Sequence, residues 1–146
     1  MQPNRCMWLH LEESDATANE MVLTEQEVDV VVHNKQSGDE SQQWEWDETT
    51  KKIKNIGSGL YLKEEGGDAA LDKVGSEWFF DSENHTLRTK ISAWSPHRND
   101  WVMNKYLSLP KEGLMPGSEA DVLMARSAEG TNFHWRIEYC DIHLRN

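Results

Sequence analysis

Hydrophobic positions along this chain alternate with polar ones in short runs. Gly, Pro, Asn or Asp breaks the runs every few residues. In Phe133-His134-Trp135-Arg136-Ile137-Glu138-Tyr139 the odd-numbered residues fall on one face of a strand and His134, Arg136 and Glu138 on the other. Leu60 and Leu62 share a face, with Tyr61 opposite. No segment holds a helical period over about 11 residues. The pattern predicts an all-β chain of twelve short strands. The first four are Cys6–Leu11, Glu20–Thr24, Val28–His33 and Gln42–Asp47. The next four are Lys52–Ile56, Gly59–Lys63, Ala69–Lys73 and Ser76–Asp81. The last four are Thr86–Ile91, Tyr106–Leu109, Asp121–Ala125 and Phe133–Glu138.

These strands group in fours, because the chain repeats. Gln42-Gln43-Trp44-Glu45-Trp46-Asp47, Ser76-Glu77-Trp78-Phe79-Phe80-Asp81 and Phe133-His134-Trp135-Arg136-Ile137-Glu138 each place tryptophan third and end on an acid. One four-strand unit cannot bury its apolar face alone, whereas three together close a common core. The expectation is a three-fold barrel with a hairpin cap. The units are unequal, since Ser92–Lys105 is inserted between the first two strands of the third. Gly38, Gly57, Gly59, Gly66, Gly67, Gly113, Gly117 and Gly130 fall between strands, where positive φ is useful.

Composition then narrows the class. The 146 residues are 37% hydrophobic and 28% charged, as one soluble domain would be. Apolar runs stay short, far from the roughly 20 residues of a membrane span. Met1–Glu13 lacks the basic start and apolar stretch of a signal peptide, so a cytoplasmic protein is expected, with a non-classical route as the way to secretion. Net charge is -11, which argues against nucleic acid and anionic membranes as partners. Seven tryptophans suit either a core or platforms for sugar rings. Two cysteines make neither a disulfide scaffold nor a zinc framework, and free thiols are the default for the cytosol.

Gln42-Gln43-Trp44, followed by Ile53-Lys54-Asn55 and Gly57-Ser58-Gly59-Leu60-Tyr61-Leu62, resembles the repeat junction of ricin-B-type lectins. That family carries a Gln-any-Trp element in each repeat, and the wording here is most similar to small intracellular fungal trefoil lectins. The resemblance runs from about Arg5 to Tyr139, although Ser76 and Phe133 stand where the second and third units would have glutamine. It implies one β-trefoil domain over 1–146, with repeats of about 5–48, 50–84 and 86–140. It also implies that Trp44, Trp78 and Trp135 are core residues. In a β-trefoil the first and last strands are neighbours, so Cys6 and Cys140 would point outward from adjacent strands and a disulfide is geometrically allowed. Galactose-binding members use an aspartate after the first part of the repeat, an aromatic on the third strand and an asparagine shortly before the Gln-any-Trp. Here the aspartate place holds Lys63 or Ser108. The aromatic place holds His33 or Asn34, Asp72, or Met124. Asn132 matches the amide.

The candidate site is therefore the insertion. Ala93-Trp94-Ser95-Pro96-His97-Arg98-Asn99-Asp100-Trp101 gathers two tryptophans with a histidine, an arginine, an asparagine and an aspartate. Loops on a rigid barrel commonly carry function, and stacking with a few hydrogen bonds is what sugar recognition requires. The expected carbohydrate contacts are Trp94, His97, Arg98, Asn99, Asp100, Trp101, Lys111 and Asn132, with Glu112 and Met115 on the adjoining loop. The competing reading is that Trp94 and Trp101 anchor the insertion to the barrel. Trp8 and Trp46 are read as core or barrel-edge residues and His33 as a loop-edge residue. The six histidines show no metal-ligand spacing, and no nucleophile or phosphate-binding motif occurs, so no enzyme activity and no cofactor or metal are expected. Glu12-Glu13, Asp39-Glu40 and Glu64-Glu65 read as loop charges. Asn84-His85-Thr86 matters as a glycosylation acceptor only in a secreted chain. The leading expectation is a non-catalytic lectin with glycans or glycoconjugates as partners, and a homodimer is allowed. The alternatives are a trefoil protease inhibitor acting through the Ser92–Lys105 and Pro110–Pro116 loops, or a protein-interaction domain with degenerate sugar sites.

Overall fold

Every alternating run but the one at Asp121–Ala125 becomes a strand within a residue or two of its predicted limits. In the computed structural model the first unit contains β1 (Cys6–Leu11), β2 (Met21–Gln26), β3 (Asp29–Asn34) and β4 (Trp44–Asp47). The second contains β5 (Lys52–Asn55), β6 (Tyr61–Glu65), β7 (Asp68–Asp72) and β8 (Trp78–Asp81). The third contains β9 (Thr86–Thr89), β10 (Trp94–Ser95), β11 (Asp100–Trp101), β12 (Tyr106–Pro110), β13 (Ala120–Asp121), β14 (Leu123–Ala125), β15 (Thr131–Asn132) and β16 (Trp135–Tyr139). The structure describes residues 1–3, 5–13, 20–65, 68–89, 94–95, 100–101, 105–110, 120–121, 123–125, 131–132 and 134–140.

The count departs from twelve in the third unit. Part of the insertion forms its own antiparallel pair, with Trp94 opposite Trp101. The strand expected at Asp121–Ala125 is two strands with different partners: β13 pairs with β3, and β14 pairs with β12 and β7. Gln42 also leaves its predicted strand. It ends a 3-10 turn, Glu40–Gln42, which begins where the Asp39 carboxylate accepts the Ser41 backbone N–H.

Strand pairing repeats around the chain. Each tryptophan strand pairs with the first strand of the next unit: Trp44 lies opposite Asn55, Trp78 opposite Thr89 and Trp135 opposite Leu11. The last pairing closes the ring, because β1 lies between β4 and β16. The second and third strands form hairpins with matching registers, Leu23 to Val32, Leu62 to Leu71 and Leu107 to Met124. These hairpins meet one another through β3–β7, β7–β14 and β13–β3.

Ring closure puts the inward residues into one core. Met7, Leu9 and Leu11 pack with Trp44, Ile53, Leu62, Trp78, Leu87, Leu107 and Trp135, all essentially excluded from solvent. Ile137, Tyr139 and Leu60 pack against it, as the alternation predicts. The tight hairpins on either side of the second unit match as well. Asp47 accepts the backbone N–H groups of Thr49 and Thr50, and Asp81 those of Glu83 and Asn84. Each turn closes on a residue of positive φ, Lys51 at 61° and His85 at 58°. Among the glycines expected to use positive φ, Gly38 and Gly59 do so, at 83° and 76°. Gly57 is needed for another reason, since a Cβ there would lie 3.1 Å from the Glu40 backbone. Gly66, Gly67, Gly113, Gly117 and Gly130 lie outside the described residues.

Candidate functional site

The three shared tryptophans hold the frame rather than a ligand. Each indole N–H donates to a backbone carbonyl on the second strand of its own unit: Trp44 to Leu23 at 2.9 Å, Trp78 to Leu62 at 3.0 Å and Trp135 to Leu107 at 2.9 Å. Their burial leaves no ring face for a sugar. Gln42 is likewise structural. Its amide donates to the Asn34 carbonyl and accepts the Gln36 backbone N–H, both at 2.8 Å. Trp46 joins the core with its N–H given to the Glu48 carboxylate.

The positions at which the family resemblance implies galactose contacts carry other chemistry. Lys63 reaches across the β6–β7 hairpin to the Asp72 carboxylate at 3.1 Å. The hydrogen bond from Lys63, aided by the Lys73 backbone N–H, holds the Asp72 carboxyl below the usual range. The same bond, with Glu65 nearby, raises the Lys63 ammonium. A lysine–aspartate pair therefore stands where the pattern has aspartate and an aromatic. Ser108 is buried. His33 is half-buried near the end of β3, with its ring against the Asn34 carbonyl, as a strand-edge residue would be.

The insertion is placed only in part. Trp94 and Trp101 are register partners in the β10–β11 pair, and Ser95 is opposite Asp100. Asn132 lies on β15 opposite Leu109. His97, Arg98, Asn99, Lys111, Glu112 and Met115 lie outside the described residues, as do the side chains of Trp94, Asp100, Trp101 and Asn132. The exit of the insertion is anchored: the Lys105 carbonyl accepts the Thr89 N–H at 3.0 Å, and its ammonium pairs with Glu64 on β6. Glu64 is thus a half-buried strand residue paired with Lys105 and not a free loop charge. Glu12 and Glu13 depart from that expectation too, since they pair with His85 and His134.

A second constellation escaped the sequence reading. It lies on the outer side of the ring-closing seam, where Cys6, Trp8 and His10 alternate away from the core. Cys6 and Cys140 are disulfide-bonded with Cα atoms 5.3 Å apart, so the default of two free thiols is corrected. The reason is the register, which continues from Met7 opposite Tyr139 to bring Cys140 onto Cys6. Trp8, Val22 and Cys140 form a small satellite cluster. Over it the Lys35 ammonium sits 4.1 Å from the Trp8 ring centre and 2.9 Å from the Glu138 carboxylate. The same carboxylate oxygen lies 2.6 Å from Nε2 of buried His10. Burial pushes the Glu138 carboxyl up, but Lys35 and His10 together outweigh it and the net displacement is downward. The alternation of Cys6, Trp8 and His10 was the available signal, but the partner side chains, Lys35 just after β3, Glu138 on β16 and Cys140 just after it, are remote in sequence.

Three four-strand units, hairpins meeting in a cap and a ring sealed between first and last strands define a β-trefoil. The likeness to solved structures makes this concrete. The ricin B-like lectin of the fungus Macrolepiota procera, solved with lactose, superposes with a TM-score of 0.68 at 21% identity, over 94% of this chain and 97% of that one. The C-half of the earthworm R-type lectin, solved with GalNAc, gives 0.65 at 13% identity over 93% and 99%. The β-trefoil lectin of the Vibrio vulnificus hemolysin/cytolysin, solved with N-acetyl-D-lactosamine, gives 0.63 at 12% over 92% and 94%. No protein-family model and no curated protein sequence matches the chain.

Proposed function

We propose that this chain is a carbohydrate-binding lectin without catalysis. In this reading it is one domain over 1–146, with unequal repeats of about 5–48, 50–84 and 86–140. The observation that carries the reading is end-to-end likeness to trefoil lectins solved with sugars. Fold alone does not fix function, so the site must supply the chemistry. The insertion does so in kind. Trp94 and Trp101 are register partners in an antiparallel pair, and the two-ring platform for the apolar side of a sugar is assigned to them. His97, Arg98, Asn99, Asp100, Lys111 and Asn132 are the polar groups assigned to sugar hydroxyls. The Lys63–Asp72 pair argues for a specificity other than the galactose pattern in the second unit. Synthesis in the cytosol belongs to the same reading, with a non-classical exit to suit the Cys6–Cys140 disulfide.

A glycan array with wild type beside Trp94→Ala and Trp101→Ala tests it. Wild type should bind a restricted set of glycans, and each variant should lose at least about tenfold in affinity, as removal of a stacked ring does. No binding to any glycan at high protein concentration would sink the lectin reading. Undiminished binding by both variants would move the site elsewhere.

A further inference from the structure

The outer side of the seam is a built cavity. Its walls are the Cys6–Cys140 disulfide, Trp8, Ser37, Gly38, Glu40 and Gln43, around a volume of about 390 Å³. That is the lower part of the range for small-ligand sites and matches one sugar-sized ring rather than an extended chain. Trp8 is only 5% exposed, and its indole N–H has no hydrogen-bond partner among the described residues. A buried donor without an acceptor is costly, and it is the kind of group a ligand or ordered water completes. Lys35 engages the indole ring and leaves the N–H unmet.

The other polar walls are unspent too. The side chains of Ser37, Glu40 and Gln43 make no hydrogen bond among the described residues, yet their backbone is fixed. The Glu40 carbonyl accepts the N–H groups of Gln43 and Gly57, and the Gln43 carbonyl that of Ile56. Gly38 turns the loop over the cavity with φ of 83°. The lining residues therefore carry one unpartnered indole donor, one carboxylate acceptor, and a hydroxyl and an amide that serve both ways. The disulfide and Trp8 supply the apolar part of the lining. A ligand with several hydroxyls satisfies this set, since each hydroxyl both donates and accepts. A phosphate or carboxylate meets Glu40 unfavourably, and a plain hydrocarbon leaves the donor unmet.

We infer that the seam cavity is a second ligand site, taking a single neutral polyhydroxylated ring. None of its residues belongs to the Trp94–Trp101 insertion or to the positions of the galactose pattern. The inference thus goes beyond the proposed function and stands or falls separately from it.

The test follows the indole N–H of Trp8 by ¹⁵N–¹H correlation spectroscopy on the full chain, assigned by its absence in Trp8→Phe. The probes are the methyl β-glycosides of galactose, glucose and N-acetylglucosamine, each titrated to high concentration. At least one should move the Trp8 signal saturably. Glu40→Gln and Gln43→Ala, whose folding the rest of the spectrum reports, should each weaken that response by about threefold to tenfold. The double variant Trp94→Ala/Trp101→Ala should keep it. A Trp8 signal that stays put with all three glycosides overturns the inference. So does a response undiminished in the Glu40 and Gln43 variants, or one abolished by the double variant. Glycan-array binding lost only in the double variant, with Trp8 unmoved, would leave the proposed function standing and remove this second site.

Discussion

Trp44, Trp78 and Trp135 each fill the core and tie two strands of one unit through the indole N–H. Phenylalanine at Trp78 or Trp135 keeps an aromatic filler but leaves the Leu62 or Leu107 carbonyl without that donor. The expected cost is about 2 kcal/mol for the phenylalanine variants and about 3–5 kcal/mol for alanine, measured by urea unfolding. A phenylalanine variant as stable as wild type would mean that the indole bond contributes nothing. These three residues were legible in the sequence because the motif repeats and the alternation points them inward. Lys51 and His85 were not. Both adopt positive φ without being glycine or asparagine, imposed by hairpins whose Asp47 and Asp81 hold the turn from the other end.

At the scale of elements, the seam between β1 and β16 matters most. The disulfide there joins residues 134 apart in sequence. Closing so long a loop in the unfolded chain gives a stabilisation of roughly 2–5 kcal/mol. The paired variant Cys6→Ser/Cys140→Ser should therefore unfold at markedly lower denaturant than oxidised wild type, and reduced wild type should approach it. Coincident midpoints for oxidised and reduced protein would show that the bond adds no stability. The strands themselves were legible as alternating runs. Their partners were not written in any local pattern: the β1–β16 pairing was anticipated only through the family resemblance, and the β3–β13 pairing was not anticipated. The β10–β11 pair was missed for a simpler reason: two strands of two residues carry too few positions to show a period.

The molecule as a whole carries a net charge of -11, and most displaced carboxyls lie below their usual range. Backbone and side-chain hydrogen bonds from Thr50 lower Asp47, and the Trp46 indole lowers Glu48. Lys63 lowers Asp72, Asn84 lowers Asp81, and Lys35 with His10 lowers Glu138 against burial. A lowered folded value stabilises the fold fully above the unfolded carboxylate range. That contribution is lost as pH falls through the folded value. Glu25, raised by burial and then by Asp39 and Glu27, has the opposite sign: its contribution is present in acid and fades as pH rises through its folded value. With five groups lowered against one raised, thermal stability should decline as pH drops below about 4. Near neutrality, moderate salt should raise the melting temperature by screening self-repulsion. A protein equally stable at pH 2 and 6, or destabilised by moderate salt at pH 7, would contradict this account.

The sequence alone determined the all-β class, the three tryptophan-ended units and the core face of alternating strands such as β16. Side-chain direction in a strand is a local matter of period two, so it is written in the order of residues. Tertiary structure decided what sits beside what across the closure. It paired Cys6 with Cys140, set Lys35 on Trp8 and Glu138, locked Lys63 to Asp72, and opened a cavity at the seam. The Lys63–Asp72 pair needs only the β6–β7 hairpin, whereas the disulfide, the Lys35–Trp8–Glu138 contacts and the cavity join segments that the closed ring brings together.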